Sequence, residues 1–124
     1  MKKNFVIWIV FLLILISSGL VYGQNIDGVW RSNQGGTYYI RQIDDHIFWY
    51  GESSSNAPAW SNVAFGSITR GQSTFTLRWV DVPKGFTRSH GMLTLQIISN
   101  NEIRRVNQTG GFGDNSWRRI RLLK

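Results

Sequence analysis

Between Ser73 and Val80 the chain alternates: Phe75, Leu77 and Trp79 fall on one side of an extended strand, Thr74, Thr76 and Arg78 on the other. A segment of this kind rests with one face buried and one face in water. Met92 to Ser99 repeats the arrangement, with Leu93, Leu95 and Ile97 facing in and Thr94 and Gln96 facing out. From Asn25 onward no run of ten or more residues carries apolar positions at helical spacing, so the alternation predicts an all-β domain.

Turn chemistry sets the other boundaries. Asp44-Asp45 separates Thr37–Ile43 from Ile47–Gly51, Arg70-Gly71 separates Asn62–Thr69 from the Phe75 strand, and Asn100-Asn101 precedes Glu102–Gln108. With Gly28–Arg31 at the front and Ser116–Leu123 at the back, the reading is seven or eight strands joined as sequential hairpins. A soluble sheet of that size hides its edges by closing. The expected architecture is a single antiparallel up-and-down β-barrel, with a β-sandwich as the alternative. Three connections are longer: Glu52–Ser61, expected as a mobile Ser-rich rim, Asp81–His90, and the glycine-rich Thr109–Asn115.

Ahead of this domain, Lys2 and Lys3 precede the apolar run Phe5–Ile16, followed by Ser17-Ser18-Gly19 and the small-residue site Val21-Tyr22-Gly23. That is the layout of a secretory signal helix, too short to read as a spanning segment of about 20 residues. The expected organisation is a signal peptide over 1–23 and one barrel domain over 24–124, secreted or periplasmic, with no stable membrane insertion after cleavage; retention as an anchor is the alternative. The chain has no cysteine, which excludes disulfides, cysteine-held metals and a thioether lipid anchor. Loss of the two leading lysines leaves twelve basic against seven acidic residues, a net +5. Such a bias suits anionic cell-surface polymers, with nucleic acid a less expected partner for an exported protein, and equally suits plain solubility.

Aromatic residues carry the strongest functional signal, with thirteen rings after residue 24. In Ile47-Phe48-Trp49-Tyr50 both faces of one strand bear rings, so at least one lies outside the main core or lines a cavity. This predicts a binding module whose open end is rimmed by Trp60, Phe86 and Phe112 and lined by Tyr38, Trp49 and Trp79, holding a small apolar or carbohydrate ligand. A second reading places Arg41, Arg78, Arg104 and Arg105, with Tyr39 and Thr76, on a flat patch for anionic polymer. A third makes the Asp81–His90 loop that of a secreted protease inhibitor.

Gly28-Val29-Trp30 resembles the G-x-W opening of lipocalin-like and avidin-like barrels. That resemblance implies that Trp30 closes one barrel end, with an arginine of the last strand, Arg118, Arg119 or Arg121, over its indole; Arg119 is the residue expected there. The strings Gly35-Gly36-Thr37-Tyr38-Tyr39-Ile40-Arg41-Gln42, Trp49-Tyr50-Gly51, Asp81-Val82-Pro83-Lys84-Gly85, Leu93-Thr94-Leu95 and Gln108-Thr109-Gly110-Gly111-Phe112-Gly113 are similar to a group of small, often secreted bacterial β proteins. That second resemblance implies the domain limits and carries no activity.

Catalytic machinery is not expected. Only His46 and His90 follow the leader; Asp45-His46 sits in a tight turn, and Asp81 with His90 brackets one loop as a candidate acid–base pair. Gly110-Gly111-Phe112-Gly113 opens no helix that could hold a phosphate. Neither metal nor cofactor is expected. Asn107-Gln108-Thr109 fits a glycosylation sequon, relevant only in a host that glycosylates exported chains.

Overall fold

The computed structural model describes residues 25–122; the expected leader over 1–23 lies outside the described residues. Eight strands follow in order: β1 (Gly28–Ser32), β2 (Thr37–Ile43), β3 (His46–Glu52), β4 (Ser61–Ser67), β5 (Thr74–Asp81), β6 (His90–Ser99), β7 (Glu102–Gln108) and β8 (Ser116–Leu122). Each pairs antiparallel with the next, and β8 returns to β1, closing the sheet. Closure decides for the barrel over the sandwich, because a closed sheet leaves no edge strand unpaired.

Side-chain alternation holds around the wall. Phe75, Leu77 and Trp79 are buried while Thr74, Thr76 and Arg78 are exposed. Trp30, Tyr38, Ile40, Ile47, Trp49, Ala64, Leu93, Leu95, Ile103 and Trp117 belong to the same buried cluster. An eight-strand barrel is just wide enough for side chains to fill it. Small inward residues make room for large ones: a Cβ on Gly51 would meet the ring of its cross-strand partner Tyr38 at 2.4 Å. Of the rings in β3, Trp49 points in, while Phe48 faces out beside Phe65 of β4.

Up-and-down order sends the long connections to one end. The segments 33–36, 53–60, 82–89 and 109–115 surround what we term the mouth, whereas 44–45, 68–73 and 100–101 turn at the base. The base is shut by the segment leading into β1. Trp30 Nε1 donates to the Ile26 carbonyl at 3.0 Å, and Ile26 is buried beneath the sheet. Arg119 lies over the Trp30 indole, 4.7 Å from its centroid. Its guanidinium donates to the carbonyls of Asp27 (2.6 Å), Asn25 (2.7 Å) and Asn100 (2.8 Å). Desolvation lowers the Arg119 pKa from the ordinary arginine range, with nearby Asp27 opposing.

Candidate functional site

At the mouth, the connections are tied to one another. Ser53 Oγ accepts from the Ala59 N–H at 2.8 Å, and Pro58 is buried, so the Ser-rich connection expected as a mobile rim is a folded-down flap. Ser61 joins that flap to the next connection: its Oγ donates to the Val82 carbonyl and accepts from the Gly85 N–H. Glu52, buried at the end of β3, accepts from the Lys84 ammonium at 2.6 Å and the Tyr50 hydroxyl at 3.0 Å. The hydrogen bond to Glu52 raises the Lys84 pKa above its ordinary value.

The glycine-rich connection 109–115 folds over the lumen. Gly110 and Gly111 both adopt φ near +84°, a backbone region that disfavours side chains, and a Cβ on Gly110 would lie 2.0 Å from the His90 carbonyl oxygen. The double left-handed step delivers Phe112 into the barrel. Expected as a rim residue, Phe112 is instead a buried plug, edge-on to Trp79 at 5.0 Å and tilted against Trp49 and Trp117 at 6.1 Å. Arg105 pins the plug by donating to the carbonyls of Phe112 and Asp114.

What remains open is a cleft of about 160 Å³ lined by Tyr38, Trp60, Asn62, Trp79, Asp81, Thr87, Ser89, Gly111, Phe112, Gly113 and Asp114. Tyr38, Trp60, Trp79 and Phe112 of the expected set therefore meet in one place. Trp49 lies one layer deeper, its centroid 5.0 Å from that of Tyr38 and its Nε1 donating to Asn62 Oδ1 at 2.9 Å. Phe86 does not join them: it is 81% exposed, because its N–H is tied to the Ala59 carbonyl and the ring is left on the outside of the flap.

Polar groups complete the cleft. The Tyr38 hydroxyl donates to Asp114 Oδ2 at 2.6 Å in a buried bond, and burial, reinforced by the Asp114 charge, pushes the Tyr38 pKa far above the usual tyrosine range. Asp114 is itself 3% exposed, yet its Oδ1 has no partner, and neither has the buried indole N–H of Trp117. One orphan acceptor and one orphan donor thus lie in the same buried aromatic cluster around Tyr38. Asp81, the mouthward end of β5, uses Oδ2 to accept from the Ser89 N–H, while His90 stands exposed opposite Val80. The acid–base pairing of Asp81 with His90 is thereby corrected, since the carboxylate is engaged by backbone instead. At the base, His46 Nε2 lies 3.6 Å from Asp45 Oδ1, both exposed.

Asn62, Asp81 and Asp114 were not among the expected ligand-binding residues. Two of them carried a signal: Asn62 continues the inward series Ala64 and Gly66, and Asp81 the series Phe75, Leu77 and Trp79. A polar residue at an inward position near a strand end marks a polar mouth. Asp114 carried none, since only closure brings it to Tyr38, 76 residues away.

The four arginines of the expected flat patch are dispersed. Arg41 and Arg78 lie on the row Arg41, Phe48, Phe65, Arg78 that crosses β2 to β5. Arg104 and Arg105 lie on β7, the former paired with Glu102 and the latter turned toward the mouth connection. Among the described residues no helix is long and apolar enough to cross a membrane. What fold and cleft define together is a small closed antiparallel barrel with an aromatic, acid-bearing mouth. No family model, curated protein or solved structure matches the chain.

Proposed function

We propose that the chain is an exported binding protein that receives a single sugar-sized, hydroxyl-bearing unit in the mouth cleft. One observation carries the reading: a buried carboxylate with an unpaired oxygen, Asp114, on the wall of a cleft floored by Tyr38, Trp60, Trp79 and Phe112. Indole faces suit the C–H face of a pyranose, and carboxylate and amide groups suit its hydroxyls. A ligand hydroxyl is also a group that donates to the orphan acceptor carried by Asp114 on the cleft wall. Volume argues against a long apolar ligand, since about 160 Å³ falls short of the ~300–1,000 Å³ typical of drug-sized sites and the lumen below is occupied by buried side chains. The Trp30–Arg119 stack at the far end fits the resemblance to lipocalin-like and avidin-like barrels, whose ligands also enter at a mouth.

The barrel is closed within residues 28–122, so the domain 24–124 is the material for the test. Tryptophan emission would be followed while neutral mono- and oligosaccharides, and separately fatty acids, are added. The expected result is a saturable change with a sugar and none with fatty acid. Trp60→Ala should weaken binding by about tenfold, equal to ~1.4 kcal/mol, within the range of one aromatic contact. An emission spectrum unmoved by every sugar in the panel would overturn the reading.

A further inference from the structure

The seam between β7 and β8 is the barrel's shortest ladder. Three residue pairs join the strands, Glu102 with Arg118, Ile103 with Trp117 and Arg104 with Ser116, whereas β2 and β3 share seven. Beyond Arg104 one further bond in register, from the Arg105 N–H to the Asn115 carbonyl at 2.9 Å, leads into the 109–115 connection. Against this seam lies a cleft of about 560 Å³, lined by Glu102, Arg104, Arg105, Asn115, Ser116, Trp117 and Arg118. It is larger than the mouth cleft and separate from it.

Its charge is one-sided. Three arginines and one glutamate line it; the Glu102 carboxylate is held by Arg104 Nε, and the Arg105 guanidinium is engaged by the Phe112 and Asp114 carbonyls. The Arg118 side chain makes no hydrogen bond or ion pair among the described residues, and it stands directly opposite Arg31 of β1, also exposed. Like charges directly opposed across antiparallel strands are destabilising, and on its other side Arg118 stands opposite Glu102 of β7, whose carboxylate is bonded to Arg104. Fork-shaped guanidinium donors beside the Asn115 amide and the Ser116 hydroxyl are the chemistry that recognises tetrahedral oxyanions.

We propose that the β7–β8 seam is a binding site for a sulfated or phosphorylated glycan or polyol chain, with Arg104 and Arg118 as its primary contacts and Arg31 extending it. The cleft is too large for a single oxyanion, which makes a chain carrying several the fitting ligand. Nucleic acid is disfavoured, because single strands are held by stacking on exposed rings and the one aromatic residue of this cleft, Trp117, is 1% exposed.

Affinity of the barrel domain would be measured for dextran sulfate, linear polyphosphate, neutral dextran and a single-stranded oligonucleotide, between about 50 and 200 mM salt. Binding to dextran sulfate or polyphosphate, falling with salt and absent for neutral dextran, is expected; the tighter of the two identifies the oxyanion. Arg118→Gln should weaken it by about tenfold and Arg104→Gln with Arg118→Gln by more, while Arg41→Gln with Arg78→Gln, elsewhere on the wall, should leave it unchanged. The Arg118 side chain is exposed and bonded to nothing among the described residues, so its variant should keep the wild-type melting temperature and isolate binding from folding. Absence of polyanion binding, equal losses in both arginine pairs, or tightest binding to the oligonucleotide would overturn the proposal.

Discussion

Tyr38 is the residue on which the mouth turns. Its ring touches Trp49, Trp60 and Trp117, and its hydroxyl supplies the bond that Asp114 makes with the wall. Tyr38→Phe keeps the ring and removes the donor, leaving both oxygens of a buried carboxylate without a partner. Hydrogen bonds to charged groups contribute about 1.5–3 kcal/mol, so a fall of roughly 2 kcal/mol in denaturant-measured stability is expected. The same residue makes stability pH-dependent. Its folded pKa is raised above the unfolded value near 10, chiefly by burial, so the folded state keeps a proton that the unfolded chain releases. Tyr38's contribution is therefore fully present below about pH 10 and declines as pH rises beyond it, at up to ~1.4 kcal/mol per pH unit. Tyr50 is shifted the same way and retains its own part in both proteins. The alkaline fall in stability should be shallower in Tyr38→Phe than in wild type; identical slopes would show that Tyr38 ionises as freely folded as unfolded.

Among the elements, β1 and β8 form the closure, and Arg119 fastens the segment 25–27 across the base to both. Arg119→Gln removes the stack on Trp30 and the charge-assisted bonds to three carbonyls, with an expected cost of about 2–3 kcal/mol in thermal or chemical unfolding. Arg119→Lys should fall between, since a single ammonium cannot span three carbonyls over an indole face. If Arg119→Gln melts with wild type, the base is held by Ile26 and Trp30 packing alone. Strands of this kind were legible because one face must be dry: the Phe75 and Leu93 series reach the structure with their inward sets intact. Phe112 was misjudged as a rim residue because its position depends on two left-handed glycines and on Arg105 reaching back to its carbonyl, neither of which leaves a period in the chain. Phe86 failed for the related reason that a loop ring has no alternation to orient it. Asn62 and Asp81 could have been found by extending two strands' inward series to their ends, whereas Asp114 needed the closed barrel itself.

For the molecule as a whole, a closed sheet is as resistant to opening as its weakest ladder. Seven pairs join β2 to β3 and seven join β5 to β6, against three across the β7–β8 seam, which is continued at its ends only by the bonds from the Arg105 N–H to the Asn115 carbonyl and from the Arg119 N–H to the Asn101 carbonyl. Local openings follow regions of sparse backbone pairing, so the barrel should part first along this seam and swing β8 away with β1, to which it holds five pairs. Native-state hydrogen exchange would report it: amides bonded between β7 and β8 should exchange through openings of lower free energy than those of the β2–β3 and β5–β6 ladders. A polyanion seated on Arg104 and Arg118 bridges the two strands and binds only the closed form, so it should slow seam amides by the factor 1 + [L]/Kd and protect the weaker-binding Arg118→Gln protein correspondingly less. Uniform exchange around the wall, with or without polyanion, would mean that the barrel opens globally and that side chains at the seam hold it as firmly as a full ladder does.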